Sequence, residues 1–190
     1  MRPFLLDYVE SLGHAVFEKG QYNLNIIGIR SKTHEPNKFD DRICVVFRDE
    51  MGWITRTWEA TCDPGQYWLD HPMRVEGTAI LVPGQYRGVY KIGTHRTYTA
   101  LTQRGGRVKV YRDGNKDEIL DRDPESITEG YYGINIHKAG KESTEINKWS
   151  AGCQVFANEK DFEEFMSICM AAKSLWGDTF TYTLIDEPEL

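Results

Sequence analysis

The feature that most constrains this chain is a succession of short runs rich in Ile, Val, Thr and aromatic residues, separated by turn signals. Asn23 to Arg30 (NLNIIGIR), Arg42 to Phe47 (RICVVF) and Gly52 to Thr61 (GWITRTWEAT) are predicted strands. A polar loop from Ser31 to Asp41, containing Pro36, separates the first two, and Asp63-Pro64-Gly65 turns the third. Thr78 to Val82 (TAILV) is a short apolar strand closed by Pro83-Gly84. Tyr86 to Leu101 is an aromatic-rich stretch with Gly88 and Gly93 as expected bends. Val108 to Arg112, Tyr131 to Ile136 and Thr179 to Ile185 (TFTYTLI) complete the set. Two helical patterns bracket these runs. Leu5, Leu6, Val9, Leu12, Val16 and Phe17 are spaced for an N-terminal helix ending near Lys19-Gly20. Phe162, Phe165, Met166, Cys169, Met170 and Leu175 form a stripe on a helix from Asp161 to Trp176, capped by Asn158 or Asp161. The expected fold is mostly β (α+β), one domain over residues 1–190 with a helix at each end.

Composition narrows the function classes. The net charge of -6 argues against a nucleic-acid surface, whose footprint is basic. The densest basic stretch, Arg104 to Arg112, alternates with Val108 and Val110 and reads as a strand with a polar face. No apolar run has the length of about 20 residues needed to span a bilayer. The N-terminus is broken by Asp7 and Glu10 and lacks a secretory core, so synthesis in the cytoplasm is expected. Cys44, Cys62, Cys153 and Cys169 form no C-x-x-C pair, so neither a zinc ribbon nor a redox motif is indicated. Four cysteines in 190 residues do not suggest a disulfide framework.

Chemistry concentrates in Gly133 to Phe156, GINIHKAGKESTEINKWSAGCQVF. His137 closes the expected strand Ile134-Asn135-Ile136, and Cys153 follows sixteen residues later behind Trp149-Ser150-Ala151-Gly152. A cysteine nucleophile needs a basic or cationic neighbour, because its free pKa is about 8.5. Histidine supplies that base near neutral pH. Gly152 lets backbone come close, so that amides near Cys153 face a developing oxyanion, and Ser150 hydrogen-bonds within the loop or orients the imidazole. A buried structural cysteine and a satisfied structural histidine fit the same residues.

A histidine at a strand end followed by Ser150-Ala151-Gly152-Cys153 resembles the L,D-transpeptidase (YkuD-like) signature, Ser-His-Gly-Cys, in three of four positions. Upstream, Ala60 to Tyr67 (ATCDPGQY) looks like that family's Thr-Pro-x-Gly-x-Tyr segment, which leads into a strand. The wider pattern of GTAILVPGQY, NIH and WSAGCQVF is also similar to proteins common in phages and prophages. The resemblance spans residues 60–156 and implies a β-sandwich or barrel. It implies thioester chemistry on peptidoglycan stem peptides, with Cys153 as nucleophile, His137 as base and no cofactor or metal. A hydrolase on the same scaffold (an L,D-endopeptidase or carboxypeptidase) and a non-catalytic virion or binding module are the alternatives. Either enzyme would act at the cell envelope after delivery by a phage or a secretion system. Two departures stand out. Lys138 follows the histidine where the family has Gly, and Val155 replaces an arginine two residues after the cysteine. Lys138, Lys148 or Arg96 are candidates to replace that charge.

Weaker signals lie outside this stretch. His95 follows a strand-like run and is a second candidate for the cleft, with Lys138, Trp149 and Arg96 as further substrate contacts. Tyr86, Tyr90, Tyr98 and Tyr111 line a groove or pack across strands. Asp113 to Asp117 with Asp121 has oxygens at alternate positions, but Glu118 and Pro124 break the calcium-loop pattern, so an acidic turn is expected. Cys62 reads as structural and Asp40-Asp41 as solvated surface. Nothing in the sequence indicates an oligomeric state.

Overall fold

A computed structural model describes residues 1–33, 35 and 37–188. Pro36, placed by the sequence in the loop before the second strand, lies outside them. The helices are α1 (Phe4–Ser11), α2 (Gln66–Asp70) and α3 (Glu159–Trp176). The strands are β1 (Asn25–Arg30), β2 (Asp41–Asp49), β3 (Gly52–Thr61), β4 (Thr78–Leu81), β5 (Gly84–His95) and β6 (Tyr98–Gln103). They continue as β7 (Val108–Asp113), β8 (Thr128–Gly130), β9 (Ile136–Lys138), β10 (Gln154–Phe156) and β11 (Phe180–Asp186). The protein is mostly β. Eight strands close a barrel in the order β1-β11-β5-β6-β9-β10-β3-β2, and β4-β7-β8 form a separate sheet. Closure removes the unpaired edges that an open sheet would leave.

The apolar runs in β1 and β2 arise because both faces are covered. Ile43, Val45 and Phe47 point into the main core, while Cys44 and Val46 pack outward with Leu6 and Val9 of α1. β7 keeps Val108 and Val110 fully buried and Lys109 exposed, so the Val108 to Arg112 part of the basic stretch is a strand with a polar face, while Arg104 to Arg107 form the turn before it.

Several boundaries differ from the sequence pattern. α1 ends at Ser11, well short of Phe17, because Gly13 adopts φ +83 and its amide caps Glu10. Val16 still packs on the outer cluster, and the Phe17 backbone is held by the Asn25 side chain. The aromatic stretch is a hairpin, β5 into β6, turning at Arg96 with φ +54 rather than at Gly93. Gly93 lies in register opposite Ala100, where its bare Cα makes room for the Thr102 side chain. Gly88 accompanies the register shift of β5 against β11. The expected strand Tyr131 to Ile136 shrinks to β9, so His137 sits inside a strand rather than closing one. α3 is capped by Asn158, whose side chain accepts from the Lys160 amide. Met170 and Leu175 are 50% and 60% exposed, off the buried stripe. Met170 lies about 100° around the helix from the buried Cys169. α2, β8 and β10 were not predicted. α2 follows the Asp63-Pro64-Gly65 turn where the family resemblance implies a strand.

Candidate active site

β9 and β10 pair in parallel, with Gln154 opposite Ile136, Val155 opposite His137 and Phe156 opposite Lys138. The Gln154 amide donates to the Asn135 carbonyl at 2.9 Å, carrying the same register one residue back. Strand alternation therefore places Asn135, His137, Cys153 and Val155 on one face. Parallel strands need a long crossover, and residues 139–153 supply it. That is how histidine and cysteine sixteen residues apart become neighbours.

The loop before the nucleophile is held by its own side chains. Ser150 is fully buried; its hydroxyl donates to the Cys153 carbonyl at 2.7 Å and accepts from the Gly152 amide at 3.2 Å. Its carbonyl accepts from the Gly65 amide at 2.8 Å, so the Asp63-Pro64-Gly65 turn braces the loop from outside. Among the described residues Ser150 makes no hydrogen bond to the imidazole; of the two roles open to it, the hydrogen bonds observed are those of the loop. Gly152 has φ +118, and a Cβ there would lie 2.5 Å from the Ala79 carbonyl oxygen. The close approach that Gly152 permits is thus to β4. Its amide is spent on Ser150, whereas the Cys153 amide has no acceptor among the described residues.

Cys44, Cys62 and Cys169 are buried, and burial pushes all three thiols up. Cys153 alone is half-buried. Its thiol donates to the Gly133 carbonyl at 3.4 Å. Crowding by neighbouring atoms raises it to about 11, against the lowering effects of the Asn135 amide and Arg96. The thiol is therefore protonated at neutral pH. In this state it is hydrogen-bonded to Gly133 rather than to His137.

His137 is 3% exposed. Its Nδ1 lies 2.9 Å from the Lys138 carbonyl oxygen, which can only accept, so Nδ1 is assigned the proton and Nε2 the lone pair. The Tyr98 hydroxyl sits 3.3 Å from Nδ1 and donates to the same carbonyl at 3.2 Å. Burial, then His95 and Arg96, lowers the imidazole to about 3 despite the Lys138 carbonyl bond. His95 stacks on His137 at 4.0 Å between centroids, 13° from parallel. The Asn135 side-chain amide fixes it by donating to His95 Nδ1 at 3.1 Å. His95 thus lies against the face of the His137 ring.

The other expected contacts divide. Arg96 lies at the β5–β6 turn and acts through its field on His95, His137 and Cys153. Lys138 turns its amine to Glu159 and over the Tyr98 ring, so its charge is already paired. Lys148 lies over Tyr67 at 4.2 Å. Trp149 is 39% exposed, on the loop beside Gly140. Tyr86 and Tyr90 are core residues, but Tyr98 is at the site, a role that its packing pattern did not reveal. Gly133 and Asn135 are contacts sequence reasoning missed, and Tyr98, named only as one of four groove or packing tyrosines, was not tied to His137. The signal was the His95–Tyr98 pair across a tight hairpin. Asp41 is 2% exposed, accepting from the Ser31 and Cys62 amides, and is not the solvated residue expected. Cys62 is buried and structural. The Asp113–Asp121 loop ties its own groups together, with Asn115 donating to Asp117 and Asp121, and Asp113 accepting from the Asp121 amide. Among the described residues no group of three His, Cys, Asp or Glu side chains is placed to hold a metal ion. None of the described helices is long and apolar enough to cross a membrane.

A narrow cleft of about 60 Å³ is lined by Trp68, Arg74, Arg112, Tyr132, Ile134 and Ala151, and two of these, Tyr132 and Ile134, flank Gly133, whose carbonyl accepts the Cys153 thiol. An apolar cleft of about 400 Å³ lined by Pro64, Leu69, Ile119 and Leu120 contains none of the site residues. No family model matches this chain, and neither a curated protein nor a solved structure does.

Proposed function

We propose that this protein is a cysteine-dependent acyl-transfer enzyme acting on peptidoglycan stem peptides, in the manner of the L,D-transpeptidases it resembles. The observation that carries the proposal is the β9–β10 pairing. It sets Cys153 diagonally across from His137, whose Nδ1 proton is tied to a carbonyl and whose Nε2 carries the free lone pair. As Cys153 Sγ bonds to the substrate carbonyl carbon, its proton passes to His137 Nε2. The carbonyl π electrons move to oxygen, where the Cys153 amide donates to the oxyanion. His137 returns the proton to the leaving amine as the C–N bond breaks, and a thioester remains. An incoming amine, giving a cross-link, or water, giving cleavage, is deprotonated by His137 and releases Cys153.

Both departures from the family pattern have a structural counterpart. The group beside His137 that acts is the Lys138 carbonyl, which any residue supplies, and the lysine side chain is turned to Glu159. Val155 is fully buried, so that position presents no cation to substrate. Hydrolysis on the same site is the second reading, favoured by that missing donor-side charge.

The test is a muropeptide digest with the wild-type protein and with Cys153→Ala, read by mass spectrometry. Cross-linked dimers or shortened stems present with the wild type and lost in the variant are expected, and the product mass identifies amine or water as acceptor. Unchanged muropeptides across several stem types would overturn the proposal and leave the binding-module reading in its place.

A further inference from the structure

Two arginines with no carboxylate partner among the described residues stand on the ring of Tyr132, the residue before Gly133, whose carbonyl accepts the Cys153 thiol. Arg112 lies over Tyr132 at 4.5 Å and Arg74 at 5.7 Å. Among the described residues neither belongs to an ion pair, although the chain carries 29 acidic residues against 23 basic ones. Both line the cleft whose other walls include Ile134 and Ala151, and no acidic residue lines it. Arg112 is held by the Gly77 carbonyl at 3.2 Å and the Thr128 hydroxyl at 3.2 Å, which fixes its direction while leaving its second terminal nitrogen without a bond.

The cleft is tied to the nucleophile through one buried side chain. Gln103, 3% exposed, accepts from the Tyr132 amide at 3.1 Å and from the Ile134 amide at 3.0 Å. Between them lies Gly133, whose carbonyl accepts the Cys153 thiol. Gln103 therefore fixes the ring under the arginines and the carbonyl that holds the thiol.

We propose that Arg74 and Arg112 on Tyr132 form a carboxylate-binding pocket that selects acyl donors bearing a free carboxylate close to the carbonyl attacked by Cys153. This rests on the acyl-transfer reading above and deepens it. The guanidinium fork matches a carboxylate with two parallel hydrogen bonds, which an amide cannot accept in the same way. The pocket supplies the donor-side charge that position 155 lacks, a role for which Lys138, Lys148 and Arg96 were the sequence candidates. Stem peptides with a free carboxylate are then substrates, and the same peptides amidated there are poor ones.

Two arms test it. In the first, Cys153 is alkylated with iodoacetate and with neutral iodoacetamide, and the modified site is read by mass spectrometry. The thiolate displaces iodide in both, so only the charge differs. The iodoacetate-to-iodoacetamide rate ratio is expected to exceed that of a small free thiol roughly tenfold, from attraction of about 1.4 kcal/mol. It falls to the free-thiol value in Arg74→Gln and recovers in Arg74→Lys. A ratio that is the same in wild type and Arg74→Gln overturns the proposal. Arg74 is an exposed side chain with no hydrogen bond to the fold, so the variant folds. In the second arm, N-acetyl-D-alanine and its amide are titrated while the Gly133 and Ala151 amide resonances are followed. Saturable shifts from the acid and none from the amide are expected; equal shifts overturn the proposal. This arm needs no reactive thiol. Carboxylate binding with an inert Cys153 would sustain the pocket and sink the acyl-transfer reading, so the two fail separately.

Discussion

At the scale of single residues, the resting pair is a neutral thiol beside a neutral imidazole. Cys153 is raised to about 11 and His137 lowered to about 3, each chiefly by burial. Over that whole range neither carries charge, so in the proposed mechanism the proton passes during the attack and not in the ground state. The Gly133 carbonyl reinforces this by bonding the protonated thiol and not the thiolate. Alkylation of Cys153 by iodoacetamide is therefore expected to climb steadily above pH 8. A stopped-rate series from pH 5 to 10 checks it; a plateau beginning near pH 5 would mean a preformed ion pair. The three buried thiols leave the signal to Cys153.

At the scale of elements, the decisive junction is the crossover that returns the chain from β9 to β10, with Gly152 wedged against β4. Replacing Gly152 with Ala adds a Cβ 2.5 Å from a backbone oxygen at φ +118. The cost is about 3 kcal/mol or more, from strain and overpacking together. Gly13→Ala serves as the control, since its φ is +83 but nothing lies within 4 Å, and it loses about 1 kcal/mol. Urea unfolding compares the two; equal losses would mean that the β4 contact is unimportant. The long elements were legible because their composition or periodicity reports burial, as in the apolar run of β2, the alternation of β3 and the stripe of α3. The short ones were not. β9 and β10 have three residues each, too few for a pattern, and β10 exists only through its partners β9 and β3. For the same reason the sequence named Cys153, His137 and His95, offered Tyr98 only as one of four groove or packing tyrosines, and did not point to Asn135 or the Arg74–Arg112 pair. Tyr98 and Asn135 come to the two histidines through hairpin register and strand pairing, while Arg112 meets Tyr132 from the second sheet and Arg74 from the loop before β4, and tertiary pairing of that kind leaves no local signal.

At the scale of the whole molecule, the barrel interior holds a second polar centre besides the imidazole face. Arg30 is completely buried and bonds the Cys62 and Leu81 carbonyls, with its Nε 3.0 Å from Asp63. Asp41 accepts from two amides beside it, yet burial and then Asp63 raise its carboxyl to about 7. Asp41 and His137 give opposite pH dependences. The folded state holds a proton on Asp41 that the unfolded chain has released above about pH 4, so this contribution is lost as pH rises toward 7. The unfolded chain takes a proton on His137 below about pH 6.5 that the folded state refuses until about pH 3, so this contribution is lost as pH falls. Each amounts to a few kcal/mol, and between about pH 4 and 6.5 they offset one another. Removing one exposes the other. In denaturant titrations at pH 4.5, 5.5 and 6.5, His137→Gln is expected to lose stability with rising pH relative to the wild type. Asp41→Asn is expected to gain stability with rising pH on the same scale. Parallel curves for all three proteins would mean that neither group titrates differently on folding, and the two buried polar centres would then be hydrated.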